Sequence, residues 1–323
     1  MNDDGATYVS FDHTNAVHAR TVLVDWMLGN ACSYACSYCP KSLHDGTVRW
    51  QNPDAIVDFY DQLQDHYVTH RDRRVWLQFT GGEPTMHPQI VRILEEASVR
   101  GFSVSLISNA SRTHRFWTKI KPHLNAVILT YHSEFVDFGH FKGVGEILVP
   151  DVPMHINITM KPEEFDKIHA DALELRQAFP DATISLKPLR VDFATELYEY
   201  SDAQMTIMDA GLLGGSGHPD TLPRATMTGR TADGNRNRLR ANEIILRNLN
   251  RLKGYRCNAG LESLRINASG QVFRATCGVG GSIGTLGETF ELPYAPISCT
   301  AHKCGCTADV LITKSRAEQF VRR

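Results

Sequence analysis

From Thr21 to Arg190 the chain alternates short β-branched or apolar runs with longer amphipathic segments. That rhythm leaves few options beyond repeated βα units on a parallel sheet. Six strands are expected, at Thr21–Leu28, Val75–Thr80, Phe102–Ser108, Ala126–Tyr131, Met154–Thr159 and Thr183–Pro188. Helix starts separate several of them. Asn52-Pro53 precedes AIVDFYDQLQDHY, His87-Pro88 precedes QIVRILEEASVR, and Lys161-Pro162 precedes EEFDKIHADALELRQAF, each placing Pro where the first helical turn has no use for its missing N–H. Right-handed crossovers then curl the strands into a partial barrel, with loops after the strand C-termini free to hold chemistry. The expected fold class is α/β, a partial (β/α)6 barrel with a small C-terminal α+β domain. Residues 1–20 read as an N-terminal tail and 21–190 as the barrel. Residues 191–252 read as a bridge with a mobile loop, from GLLGGSGHPD and TADGNRNR, ahead of a short helix in ANEIILRNLNRL. In 253–323, SLRINASGQVFRA reads as a hairpin.

Thirty-four basic residues against thirty-six acidic ones leave no global field to capture nucleic acid or an anionic membrane. Locally basic RLRANEIILRNLNRLKGYR is read as a solvated helix face, which disfavours nucleic acid as a partner. No signal peptide or apolar stretch near the length of a membrane span is present, so a cytoplasmic location is expected. Thiols are kept reduced there, which makes the eight cysteines candidates for metal ligation rather than disulfides. They fall into two groups, Cys32, Cys36 and Cys39, then Cys257, Cys277, Cys299, Cys304 and Cys306. The first is a CxxxCxxC set directly after the first expected strand. Three thiolates at this spacing suit one [4Fe-4S] cube whose fourth iron stays open to a small molecule. Zinc is the alternative, with His44 as the nearest fourth ligand.

CxxxCxxC with Tyr38 just before its last cysteine resembles the radical S-adenosylmethionine (SAM) superfamily, and Gly81-Gly82-Glu83-Pro84-Thr85 after the second strand is similar to its GGEP motif. The resemblance implies that Cys32, Cys36 and Cys39 hold a SAM-binding [4Fe-4S] cluster and that Tyr38 lies beside adenine. It further implies that Gly81, Gly82, Glu83 and Pro84 bind the SAM amino group, and that Ser108 and Asn109 contact ribose or carboxylate. The superfamily often has Thr-Asn-Gly at that last position, where this chain has Ser-Asn-Ala. The C-terminal cysteines resemble SPASM and twitch extensions. Five are too few for two clusters, so one auxiliary [4Fe-4S] cluster is expected, with Cys257, Cys277, Cys304 and Cys306 the favoured ligands and Cys299 a fifth candidate or a hydrogen donor. Four thiolates also satisfy tetrahedral zinc.

What the resemblance implies for activity is reductive cleavage of SAM to a 5′-deoxyadenosyl radical, fed by a flavodoxin- or ferredoxin-type electron donor. Hydrogen abstraction from substrate would then lead to oxidation, crosslinking or epimerisation. Later strand ends offer Thr130, His132, Glu134, Asn157, Lys187 and Arg190 toward substrate, with His132 the catalytic candidate; as loop or capping residues they would do nothing chemical. Only residues 1–20 precede the first expected strand, which favours a small polar metabolite such as a sugar, aminoglycoside-like or nucleoside compound over a ribosomally made peptide. A non-catalytic iron-sulfur protein would need neither GGEP nor an open iron.

Overall fold

The computed structural model describes residues 8–191, 196–209, 212–213 and 226–316. The chain divides into two units, Met1–Asp25 with Asp58–Trp76 and Pro223–Arg323, and Trp26–Val57 with Leu77–Leu222. In chain order the elements are β1 (Tyr8–His13), α1 (Ala16–Ala19), β2 (Thr21–Met27), α2 (Pro53–Leu63), β3 (Arg74–Thr80), α3 (Ile90–Val99), β4 (Ser103–Ser108), α4 (His114–Ile120) and β5 (Ala126–Tyr131). Next come α5 (Phe138–Leu148), β6 (Met154–Met160), α6 (Phe165–Ala178), β7 (Thr183–Pro188), α7 (Asp202–Asp209), β8 (Leu212–Leu213), β9 (Thr226–Thr231) and β10 (Arg236–Arg240). The last are α8 (Ala241–Leu246), β11 (Arg256–Cys257), β12 (Ser263–Ile266), β13 (Gln271–Phe273), β14 (Ser282–Thr285), β15 (Ile297–Ser298), α9 (Thr307–Val310) and β16 (Lys314–Ser315).

In the second unit the sheet runs β2-β3-β4-β5-β6-β7-β8. β4 through β7 pair in parallel, with Thr130 opposite Asn157 and Thr159 opposite Lys187; β8 returns antiparallel to β7. This is the α/β partial barrel that the βα rhythm predicts, and its six strands lie at the expected segments with ends moved by one residue or less. The helix starts hold as well: Asn52 caps α2 through Asp54 N at 3.0 Å, and the His87 ring accepts from Gln89 N at 3.1 Å just before α3. Strand period decides what each face does. On β6, Ile156 and Ile158 are fully buried, whereas His155, Asn157 and Thr159 alternate with them and face the site. The neighbouring Tyr131 turns the other way and donates to Asp171 on α6 at 2.6 Å.

The first unit departs from the expectations in two places. Within the stretch read as a tail, Tyr8–His13 is a paired strand, and TADGNRNR, read as polar loop, is the turn of the β9–β10 hairpin. The order is β10-β9-β1-β16-β11-β15. Both departures have a local cause. Tyr8, Val9 and Phe11 bury their side chains, a short apolar run with too little periodicity to stand out. Gly234, at φ +91°, lets the chain close after Asp233 while Arg236 pairs with Arg230. GLLGGSGHPD lies almost wholly outside the described residues. The hairpin expected in SLRINASGQVFRA is present as β12–β13, and β14 extends it. Among the described residues no helix is long and apolar enough to cross a membrane.

Candidate active site

The first cysteine group hangs from the end of β2. Beyond the strand, backbone pairing continues: Leu28 N donates to Thr80 O at 3.1 Å, Gly82 N to Gly29 O at 3.2 Å and Glu83 N to Ala31 O at 2.8 Å. This approach explains the glycine pair. A Cβ on Gly81, which sits at φ +130°, would stand 2.4 Å from Gly29 O, and one on Gly82 would stand 2.2 Å from Ala31 O. Only glycine lets the two backbones meet here. Asn30 fixes the return of the loop, donating to Ser42 O at 2.9 Å and Asp45 Oδ1 at 2.8 Å while accepting from Val48 N at 2.9 Å.

The Glu83 side chain joins two loops. It is 1% exposed; Oε1 accepts from Thr85 N at 3.0 Å, Thr85 Oγ1 at 2.6 Å and Ser108 Oγ at 2.9 Å, and Oε2 accepts from Asn109 N at 2.7 Å. Burial pushes its carboxyl above the usual range, against these hydrogen bonds. Pro84 begins the single 3-10 turn that follows. The structure therefore assigns Glu83 a supporting duty, tying GGEP to the Ser108-Asn109 turn, that motif reading alone does not reveal. Asn109 extends the link, donating to Ser33 Oγ at 3.0 Å and lying 3.7 Å from Cys32 Sγ.

Glu134 anchors the cysteine loop from the other side, accepting from Ser37 N at 2.7 Å, Ser37 Oγ at 2.5 Å and Lys161 Nζ at 2.9 Å. Burial raises its pKa, but the Ser37 and Lys161 contacts outweigh it and hold Glu134 below the usual carboxylate range. Tyr38 is buried and its hydroxyl meets His132 Nδ1 at 2.8 Å and Thr159 Oγ1 at 3.1 Å. Thr159 in turn donates to Tyr131 O at 2.7 Å. The Tyr38 and His132 rings are near-parallel, 15° apart, at 6.1 Å. Burial holds the His132 imidazole neutral, its pKa lowered to about 4. The ends of β5, β6 and β7 bring His132, Asn157, Thr159 and Lys187 to the face that Tyr38 occupies. Lys187 is exposed as a residue, yet enough protein lies around its ammonium for desolvation to lower the pKa. Arg190 is exposed beyond the end of β7.

Burial raises all three thiols of the first group, Cys36 and Cys39 to about 11, with Cys32 further opposing ionisation of both Cys36 and Cys39. They are thus close enough to interact. Yet among the described residues no three His, Cys, Asp or Glu side chains gather around a point that would hold one metal ion. A zinc ion needs its sulfurs within about 2.3 Å, whereas a four-iron cube spreads its thiolates over a wider triangle. The donor set, three thiols in the loop after β2, fits the cube.

The second group forms in the other unit. Cys257 lies on β11, Cys277 follows β13, and Cys304 and Cys306 precede α9, with Cys257 and Cys304 buried. Burial raises each of these four; Cys257 opposes ionisation of both Cys277 and Cys304. Asp309 braces the turn, accepting from Cys277 N at 2.6 Å and Thr276 N at 3.2 Å. Cys299 packs against the neighbouring core that includes Cys304, its Sγ 3.8 Å from Ala301 O. Their all-thiol chemistry suits either a four-iron cube or tetrahedral zinc.

Residues 26–132 match the family model described as the radical SAM superfamily. One relative, an S-adenosylmethionine-dependent nucleotide dehydratase from Fibrobacter sp. (strain UWH6), is 25% identical over 101 residues, 29% of each chain. Among solved structures, Streptococcus suis SuiB is similar at a TM-score of 0.47 and 12% identity, and its complex with S-adenosylmethionine at 0.48 and 11%. Each alignment covers 84% of this chain and 63% of SuiB.

Proposed function

From a chain that carries a radical SAM domain over residues 26–132, we propose an enzyme that reductively cleaves S-adenosylmethionine and abstracts hydrogen from a small polar metabolite. The observation that carries the reading is the joined geometry of the cysteine loop and GGEP, whose backbones pair at Gly29–Gly82 and Ala31–Glu83. Cys32, Cys36 and Cys39 would hold the cluster, which when bound would supply the electron for reductive cleavage of SAM to methionine and a 5′-deoxyadenosyl radical. The protein's own part is position. Gly81, Gly82 and Pro84 present backbone to the cofactor, Glu83 holds that backbone against Ser108 and Asn109, and Tyr38 offers a ring face to adenine, fixed by His132 and Thr159. His132 is kept neutral and donates or accepts at Nδ1 toward Tyr38; its catalytic candidacy extends no further than that contact. A flavodoxin- or ferredoxin-type donor delivers the electron.

The substrate reading rests on the polar strand ends. Thr130, Asn157, Ser185 and Lys187 share one face by register, and among the described residues the Lys187 ammonium has no acidic partner within ion-pair reach. That cation favours a metabolite with an anionic group and disfavours an aminoglycoside-like one. The name of the Fibrobacter relative, a nucleotide dehydratase, supports a nucleotide or nucleoside-like compound. Cys257, Cys277, Cys304 and Cys306 would hold a second [4Fe-4S] cluster, which would serve as electron acceptor for an oxidation or crosslink; with Cys299 as hydrogen donor the outcome would be epimerisation, and Cys299→Ala separates the two by product stereochemistry.

The test is anaerobic reconstitution with iron, sulfide and 5′-deoxyadenosine quantified, beside a variant with Cys32, Cys36 and Cys39 changed to Ala. Roughly eight irons falling to roughly four, with 5′-deoxyadenosine lost, is the expected result for two cubes. Zinc in place of iron and no SAM cleavage overturns the proposal.

A further inference from the structure

Lys314 is the most deeply buried cation among the described residues, at 1% exposure. Its ammonium donates to Ile312 O at 2.9 Å and to Asp309 O. Two carbonyls leave one of its three N–H groups and its whole charge unmatched. The nearby acids are engaged elsewhere. Asp309 spends its carboxylate on Thr276 N and Cys277 N, and Glu262 accepts from Thr313 N at 2.9 Å and Asn258 Nδ2 at 2.7 Å and meets His13 at 3.0 Å. No carboxylate reaches Lys314 within ion-pair distance among the described residues, and a buried charge without a partner is costly.

The sheet register supplies the missing partner. On the antiparallel β11–β16 pair Lys314 stands directly opposite Cys257, so the two side chains leave the sheet on one face, with Cβ atoms about 5 Å apart. Four thiolates bring more negative charge than a resting four-iron cube neutralises, and the cation lies where that excess would fall.

We propose that Lys314 is the built-in counter-charge of the C-terminal thiol group and sets the reduction potential of the cluster held there, an inference that rests on the second cluster proposed above. A fixed positive charge beside a cluster favours its more negative, reduced form and so raises its potential. Lys314 is a positioning and tuning residue; it touches no substrate.

The experiment uses the full chain with Cys32, Cys36 and Cys39 changed to Ala, so that one cluster remains, as parent and with Lys314→Met, Lys314→Gln or Lys314→Arg. Iron is counted, the cluster potential is titrated by electron paramagnetic resonance, and melting of the metal-free forms is recorded. The neutral variants are expected to titrate at lower potential than the parent and to melt higher when metal-free, because they no longer bury an unmatched cation; Lys314→Arg stays near the parent potential. Neutral variants that fold, melt no lower and fail to load iron also support the counter-charge role. Loaded neutral variants with the parent potential overturn it, as do neutral metal-free forms that melt lower. A parent that holds no iron refutes the second cluster itself.

Discussion

Substituting Gly82 by alanine tests whether backbone contact between GGEP and the cysteine loop holds the site together. The new Cβ would begin 2.2 Å from Ala31 O, 2.5 Å from Ala31 C and 2.9 Å from Asn30 C, and must retreat beyond 3.0 Å from all three. Every neighbour is backbone, so no side-chain rotation relieves the contact. The displacement stretches both the Gly82–Gly29 and Glu83–Ala31 hydrogen bonds, worth about 1 kcal/mol each, and overpacking adds about 1–3 kcal/mol. The sum, roughly 3–5 kcal/mol, is a large part of the 5–15 kcal/mol typical of a folded domain. Urea unfolding should show the midpoint falling with an unchanged slope, and reconstituted iron should drop because Ala31 leads directly into Cys32. Gly139→Ala is the control: on α5, where its Cβ meets nothing closer than Asp137 Oδ1 at 3.5 Å, it should stabilise by about 0.5–1 kcal/mol. If Gly82→Ala matches the parent in midpoint and iron content, the backbone contact does not support the site.

Replacing Glu83 by alanine strands four donors in a dry site, and chemical denaturation should register a loss of about 4 kcal/mol or more, with Glu83→Gln intermediate. His155 is 4% exposed and burial, reinforced by Lys187, lowers its pKa to about 4. A lowered histidine pKa means its stabilising contribution is complete above pH of about 6.5 and is lost as pH falls toward 4, up to about 3 kcal/mol. His155→Gln should flatten the stability-against-pH curve in that window, and an unchanged slope would remove His155 from the account. Glu134→Ala frees Ser37 and leaves Lys161 only its contact with Glu164, at a cost of about 1–2 kcal/mol; SAM affinity should weaken while iron content holds, a split that equilibrium binding and iron assay read separately. Lys187→Met should raise KM for an anionic substrate with kcat little changed, as expected when a cation binds ground and transition states alike.

Much of this protein is written locally. Strand period, Pro-marked helix starts and the CxxxCxxC and GGEP spacings are short-range signals, and they locate six strands and the first cysteine group because neighbouring residues alone determine them. The first-unit sheet is different. Tyr8–His13 pairs with β16 and β9 from opposite parts of the chain, and no local pattern specifies partners so distant. The same holds for the finer features of the sites. The sequence marks Glu83 as part of a motif, but its four donors come together only when two loops meet. Tyr38, His132 and Thr159 lie far apart in the chain and join through a single hydroxyl. Lys314 reads as an ordinary surface lysine until sheet register sets it opposite Cys257, because burial and cross-strand pairing are properties of the folded chain and not of any segment within it.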